Sequence, residues 1–520
     1  MANPWTQRWG DLELRVELRS VGTSGGSSLR VLSDDEAGQA TEWLRFDCFD
    51  TNPHWHLAPH GRDEIHALRE PGDPVAEAFE MLDRELPVLL ERAGAPDTVR
   101  AQLSRRGADA SADREAEAER LRVLRDTERM MRHRPAVLEE LDVRALEHRV
   151  SAKWRQYPRD VLPAWVAEMD FPLAAPIEAE LRRLLDVSDM GYPLDDADTG
   201  LPAAFCERMR ERFDWAPDPA RVELLSEVVQ GIYIAVEAFS EAGEGVIVQT
   251  PIYPPFLNAI RDTKRRLVDN PLVPNGLRLE FDLDGLAEVI DAGTRVLMLC
   301  NPHNPSGRVM SREELERIAA LALEHDLIVI SDEIHADLLF DGRSHIPFAS
   351  LGDEIAARTI TFTSTSKAFN IPGLRLALAH FGSDELQRRF NERHPRRVRG
   401  GISLPGIYAS IAAWRWAQPW LDEVVPYLQA NRDHAERALA ERIPEIGFYR
   451  PESTYLAWLD CSALDIEGSP ARHFMKQGRV AVSIGDRFGP AWDRHVRLNF
   501  ATSRPILTGV IERMAKSLGR

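Results

Sequence analysis

The chain has 520 residues, 44% of them hydrophobic and 28% charged, which is enough for two or three cored domains and unlike a disordered polymer. Its formal charge of −19 leaves no basic stripe for nucleic-acid phosphates and excludes that class of partner. Cys48, Cys206, Cys300 and Cys461 lie far apart, no apolar run approaches the roughly 18 residues of a membrane span, and residues 1–20 have no apolar leader core, so neither a disulfide framework nor a membrane partner is expected and the cytoplasm is the expected location.

The first 135 residues read as an appended α+β module ending in a linker. Leu12, Leu14, Val16 and Leu18 alternate with charged residues, the pattern of a half-buried strand. A glycine-serine turn at 22–28 followed by Leu29 and Val31 suggests a hairpin, and Trp43, Leu44 and Phe46 suggest a further strand. Asp73-Pro74 opens a helix with Val75, Phe79, Leu82 and Leu86 on one face, and 105–134 reads as a solvated helix or linker. His54, His56, His60 and His66 cluster near Cys48 and Asp50. On a strand His54 and His56 share a face, as metal ligands often do, but histidines hydrogen-bonded at a strand end are the plainer reading, and no metal site is assigned.

Residues 136–200 are expected to join a smaller domain and the domain junction, with a short helix at 177–186 and a turn at Gly191-Tyr192-Pro193. Strands at 222–225, 246–249, 296–300, 327–331 and 359–363 then alternate with helices that include 230–241 and 311–324. That alternation predicts an α/β domain over 201–385, a mostly parallel sheet with helices on both faces. From 386 to 520 a helical stretch (405–440) and strands at 455–459 and 496–500 predict a smaller C-terminal α+β domain.

Chemistry concentrates where those strands end, the usual place for sites in open α/β sheets. Lys367 follows the strand at 359–363 inside a hydroxyl-rich turn containing Ser364 and Ser366, with Arg375 eight residues on. Beside hydroxyls and a second cation, a lysine can lose its proton and become a nucleophile. Val229, Gln230 and Gly231 begin a helix, where free N–H groups suit a phosphate. Tyr253 lies among prolines after a strand, Asn304 in the rigid loop NPHNPSG, and Asp332 ends the apolar run LIVIS, with His335 three residues on. A carboxylate there needs a cationic partner or pays desolvation. A protonated pyridine nitrogen would be such a partner.

Residues from about 140 to 515 resemble the cysteine-S-conjugate and cystathionine β-lyases, a branch of the class I/II aminotransferase superfamily with the fold-type I architecture. The resemblance is carried by VSAKW (150–154), AWVAEMDFP (164–172), Gly191-Tyr192, NPHNPSGR (301–308), SDEIHADLLF (331–340), STSKAFNIPGLR (364–375), STYLAWLD (453–460) and VRLNFA (496–501). It implies the cofactor pyridoxal 5′-phosphate, with Lys367 as its Schiff-base lysine and as the base that moves the substrate α-proton. Asp332 is then expected to face the pyridine nitrogen, Tyr253 to stack on the ring, and Asn304 to donate to the phenolic oxygen with His335 nearby. Ser364, Ser366 and Arg375, with backbone near Val229 and Gln230, resemble the phosphate set. Arg497 resembles the clamp on the substrate α-carboxylate, and Asn304 lies within reach of the same substrate. Tyr192 is similar to a tyrosine that reaches the neighbouring subunit's site, implying a homodimer, and departure of the leaving group is expected to use either Tyr192 or a water. Two features depart from the family: residues 1–135 have no counterpart, and Gln230-Gly231 replaces an expected apolar-proline pair.

The implied reaction is α,β-elimination of an S-substituted, cystathionine-like cysteine to a thiol, pyruvate and ammonia. Transamination between an amino acid and a 2-oxo acid is the first rival, since the same lysine can return the proton elsewhere. A cofactor-binding regulator without catalysis is the second. The thioether itself is not legible in the sequence.

Overall fold

The computed structural model describes residues 5–9, 12–21, 24–34, 40–49, 54–68, 74–96, 99 and 138–520. The chain divides into two units, residues 1–134 with 174–189, and residues 135–173 with 190–520. No helix among the described residues is long and apolar enough to cross a membrane.

In the first unit, six strands form an antiparallel sheet in sequence order: β1 (Trp5–Trp9), β2 (Leu12–Val21), β3 (Ser24–Asp34), β4 (Ala40–Phe49), β5 (His54–Leu57) and β6 (Glu64–Ala67). Alternation sorts the faces as expected. Leu12 and Leu14 of β2, Leu29 and Val31 of β3, Leu44 and Phe46 of β4, and Trp55 and Leu57 of β5 are all buried. Glu13 and Arg15 pair with each other at 2.5 Å. Helix α1 (Pro74–Arg92) packs on β4 and β5 and buries Leu82, Leu86, Leu89 and Leu90. The hairpin connection is shorter than the sequence suggests. Ser24 already pairs with Val21, because the ladder bonds through backbone and accepts glycine and serine where no core side chain is needed. The helix or linker expected at 105–134 lies outside the described residues.

The second unit is built on a seven-stranded sheet in the order Arg266–Asp269, Gly245–Val248, Thr294–Cys300, Ile328–Asp332, Thr359–Thr363, Ala377–Phe381, Val222–Leu225. The first five strands run parallel, and Ala377–Phe381 is antiparallel to both neighbours. Val246, Ile247, Val248, Val296, Leu299, Val329, Ile330 and Ile360 are buried on both sheet faces, which is why these strands read as unbroken apolar runs. Helix Val228–Phe239 packs closely on the sheet at Gly231. A methyl group there would stand 2.3 Å from the Phe362 ring, so this glycine serves helix-to-sheet packing. Helices Leu404–Trp416 and Gln418–Arg442 lead to an antiparallel sheet of Gly447–Tyr449, Leu456–Asp460, His495–Asn499 and Ser483–Ile484.

The segment 161–171 is held against this C-terminal region. Leu162–Pro163 pairs with Val480–Ala481, and Asn499 Nδ2 donates to the carbonyls of Val166 and Glu168 at 2.6 and 2.7 Å. Lys153 and Asp170, each 1% exposed, form an ion pair at 2.9 Å, and Trp154 Nε1 donates to Asp170 Oδ1 at 2.7 Å. Two buried charges are tolerable only together. Lys153→Met is therefore expected to destabilise the protein by about 3–5 kcal/mol, read as an earlier urea midpoint; an unchanged midpoint would mean that Asp170 finds another partner.

Candidate active site

Lys367 stands in a single helical turn, Thr365–Ala368, immediately after strand Thr359–Thr363. Ser364 begins the turn: its Oγ accepts the Ser366 N–H at 3.0 Å and donates to the Leu376 carbonyl at 2.6 Å. Beyond the lysine, Asn370 adopts φ 57°, the left-handed region that asparagine tolerates. Its side chain accepts the Met169 N–H at 2.9 Å and donates to the carbonyls of Met169 and Phe171 at 3.1 and 3.2 Å. That latch brings the Ala167 carbonyl beside Lys367, whose Nζ donates to it at 3.0 Å, and the Tyr455 hydroxyl donates to the same oxygen at 3.1 Å. Enclosure by protein, then the nearby Arg497 charge, lowers the lysine pKa to about 8 against the opposing pull of Asp332.

Asp332 ends strand Ile328–Asp332 with 4% exposure. Burial pushes its carboxyl up to about 7, while the Ile334 N–H, which it accepts at 3.1 Å, and the Lys367 charge pull the other way. His335, 2% exposed, is driven down to about 3 by burial and by the Lys367 and Arg497 charges, so its imidazole is neutral. Its Nδ1 has no hydrogen-bond partner among the described residues. Asn304 Oδ1 accepts Arg497 Nη1 at 2.9 Å, which turns the amide's Nδ2 the other way. Arg497 also donates to the Trp165 carbonyl at 3.1 Å and Ser483 Oγ at 3.3 Å, and lies 5.0 Å from the Phe488 ring centroid. Burial lowers its pKa to about 10, and Tyr253 and Tyr455 oppose that shift. Its described partners are the Asn304 amide, the Trp165 carbonyl and the Ser483 hydroxyl, with no carboxylate paired to it among the described residues, and its Nε is unbonded.

A cavity of about 220 Å³ gathers nine of the expected residues: Val229, Tyr253, Asn304, Asp332, His335, Ser364, Ser366, Lys367 and Arg375. Arg497 reaches it through Asn304. Two expected residues stand elsewhere. Gln230 is not in the lining: its Oε1 accepts the Ser226 N–H and hydroxyl at 3.2 and 3.1 Å, and its Nε2 donates to the Arg399 carbonyl at 2.7 Å. One residue along a helix turns a side chain by about 100°, so Val229 faces the cavity and Gln230 braces the loop behind it. Tyr192 is fully exposed at 101% and lies outside the cavity of its own chain. Ser364 is in the lining, but its hydroxyl hydrogen is engaged by Leu376.

Three lining features did not surface from the sequence. Glu227 pairs with Arg375 at 2.9 Å, the Ala167 carbonyl holds the lysine amine, and Cys300 Sγ donates to the Pro302 carbonyl at 3.5 Å beside the cavity. The carboxylate preceding a helix start, next to an arginine expected to bind phosphate, was the one available signal.

A pyridoxal phosphate fits these residues. Among the described residues the buried Asp332 carboxyl has no cation in direct contact and the neutral His335 leaves Nδ1 unpaired, and an amine poised near neutrality shares their cavity. The first-turn N–H groups of helix Val228–Phe239 and the Arg375 guanidinium offer phosphate donors.

Residues 170–514 match the family model for aminotransferase class I and II, and residues 8–118 match a domain of unknown function, DUF7700. The chain is 37% identical to the cystathionine β-lyase PatB of Bacillus subtilis over 362 residues, which is 69% of this chain and 93% of that protein. Among solved structures, OvoB superposes with a TM-score of 0.69 at 40% identity, covering 73% of this chain and 98% of that one. A putative PLP-dependent β-cystathionase from Corynebacterium diphtheriae superposes with a TM-score of 0.69 at 34% identity, covering 74% and 99%.

Proposed function

The chain belongs to the aminotransferase class I and II family, and from that premise we propose that it is a pyridoxal 5′-phosphate-dependent carbon–sulfur β-lyase. Its reaction converts an S-substituted cysteine and water into a thiol, pyruvate and ammonia. The single observation that carries the reading is the cavity in which Lys367, with its pKa near 8, lies among Asp332, His335 and Asn304 beside a buried arginine that pairs with no carboxylate among the described residues.

When bound, the cofactor supplies an electron-withdrawing ring that acidifies the Cα–H bond of the amino acid joined to it. Lys367 Nζ would hold the aldehyde covalently and, once displaced by the substrate's amine, take the Cα proton. Its lowered pKa leaves the neutral form accessible near pH 8. Asp332 would face the ring nitrogen and keep it protonated, and that cation would in turn restore the buried carboxylate. Asn304 Nδ2 would donate to the phenolic oxygen, and Tyr253 would cover one ring face. Val229 N–H, Ser366 and Arg375 would hold the phosphate, with Ser364 shaping their turn rather than spending a donor. Arg497 would clamp the substrate α-carboxylate bidentately, relieving a buried guanidinium that pairs with no acid among the described residues.

Arg497→Lys keeps a positive charge but loses the fork. It is expected to lower kcat/KM by roughly 10- to 100-fold, mostly through KM; an unchanged KM would move the carboxylate site elsewhere. The reaction type is tested by incubating the enzyme with single S-substituted cysteines and measuring pyruvate and free thiol. Release of both without added 2-oxo acid is expected, whereas turnover that requires a 2-oxo acid would make the chain an aminotransferase.

A homodimer is part of the reading. The full exposure of Tyr192 supports a role in a partner subunit's cavity, close to the leaving sulfur. The buried Cys206, Cys300 and Cys461, without a disulfide among the described residues, support a cytoplasmic, reducing location.

A further inference from the structure

The N-terminal sheet carries a polar cluster that the lyase reaction does not use. In the β4–β5 register, Asp47 pairs with His54 and Arg45 with His56, which sets all four side chains on the face opposite the stacked pair Phe46 and Trp55. His54 Nε2 lies 3.8 Å and His56 Nε2 3.4 Å from Asp47 Oδ2, and one ligand atom from each of the three residues falls within 4.8 Å of the others. Ligands sharing a tetrahedral ion at bonds of about 2.0–2.1 Å stand about 3.3 Å apart, so small side-chain rotations close the set.

Two neighbours arrange the cluster. Asp63, in the β5–β6 turn, sits 2.6 Å from His56 Nδ1. A carboxylate there requires the proton on Nδ1 and leaves Nε2 directed at Asp47, the carboxylate–histidine arrangement that orients metal-bound imidazoles. Ser28 Oγ donates to Asp47 Oδ1 at 2.7 Å, which turns Oδ2 toward the histidines. Two electron-rich atoms 3.4 Å apart call for a positive charge between them. Arg45 now supplies one, with Nε 3.0 Å from Asp47 Oδ2 and Nη2 3.0 Å from His56 Nε2. The same guanidinium lies 3.8 Å from Glu42, a carboxylate already paired with Arg30 that it would share when another cation takes its place.

We propose that Asp47, His54 and His56 form a binding site for a divalent transition-metal ion, with Asp63 as the residue that orients His56. Two imidazoles and one carboxylate suit zinc or iron(II) rather than magnesium or calcium, and three protein ligands leave a position for water or a small ligand.

The test uses the untagged full-length holoenzyme, stripped with chelator, equilibrated with Zn²⁺ and dialysed against metal-free buffer before elemental analysis. About one zinc per chain above the His54→Ala/His56→Ala double variant is expected, and Asp63→Asn should weaken retention about tenfold. In case the double variant misfolds, Co²⁺ added to the wild-type protein gives a second readout: a visible absorption band from nitrogen coordination, removed by stoichiometric Zn²⁺. Zinc retained equally by wild type and a folded double variant, or neither zinc retention nor a cobalt band in the wild type, overturns the proposal.

Discussion

Lys367→Ala abolishes turnover and the visible absorbance of a covalently tethered cofactor together. The loss expected is about 10⁴-fold or more, because the residue removed would be both tether and general base. The surroundings of this lysine favour both proposed roles. Its ammonium is enclosed, lies near Arg497 and has the Ala167 carbonyl as its hydrogen-bond partner, so the neutral amine is reached near pH 8 rather than above 10. Capture of added cofactor by the wild-type apoprotein should therefore quicken as pH rises toward 8 and level off beyond it. A variant that kept the absorbance would place the tether on another residue. A variant that lost the absorbance but kept turnover would remove the lysine from catalysis.

Asp332→Asn should lower kcat by about 10²- to 10³-fold, the scale on which a preorganised electrostatic partner acts, while the cofactor stays tethered. The amide cannot hold a ring nitrogen protonated, so the loss falls on proton removal rather than on attachment. The same substitution has an opposite effect on the empty protein. Burial raises the Asp332 pKa from 3.8 to about 7 in the fold, so between those values the folded chain binds more protons than the unfolded one. Stability then falls with rising pH across that window, and the deficit is complete above pH 7. Asp332→Asn removes it, so the apoprotein should melt later than wild type at pH 8 although the loaded enzyme is nearly inactive. An apoprotein melting at the wild-type temperature would mean that the carboxyl is solvated, and full activity would deny it the ring nitrogen.

Legibility followed burial. The central strands are apolar on both faces and announced themselves within two residues of their ends, whereas Ala377–Phe381, interleaved with small residues and preceded by the turn at 372–374, did not. The cavity lining around Lys367, Asp332 and Asn304 was legible because each follows a buried strand, where a polar residue needs a purpose. For Gln230 a helix start identifies a backbone donor and says nothing of where the side chain points; here the side chain points at Ser226 and Arg399. The Ala167 carbonyl left no trace in the sequence, since any residue supplies a carbonyl and only the Asn370 latch, some 200 positions away along the chain, brings it to the lysine. Tyr192 is fully exposed and outside the cavity of its own chain, and its proposed place in a neighbouring subunit rests on the resemblance.

The central claim is that the amine of Lys367 holds the cofactor. Reduction of the holoenzyme with borohydride fixes that linkage, and digestion followed by mass spectrometry locates it. The added mass is expected on the peptide containing Lys367, and none on that peptide from Lys367→Ala. The same mass on a peptide from any other lysine, or on none, would contradict it.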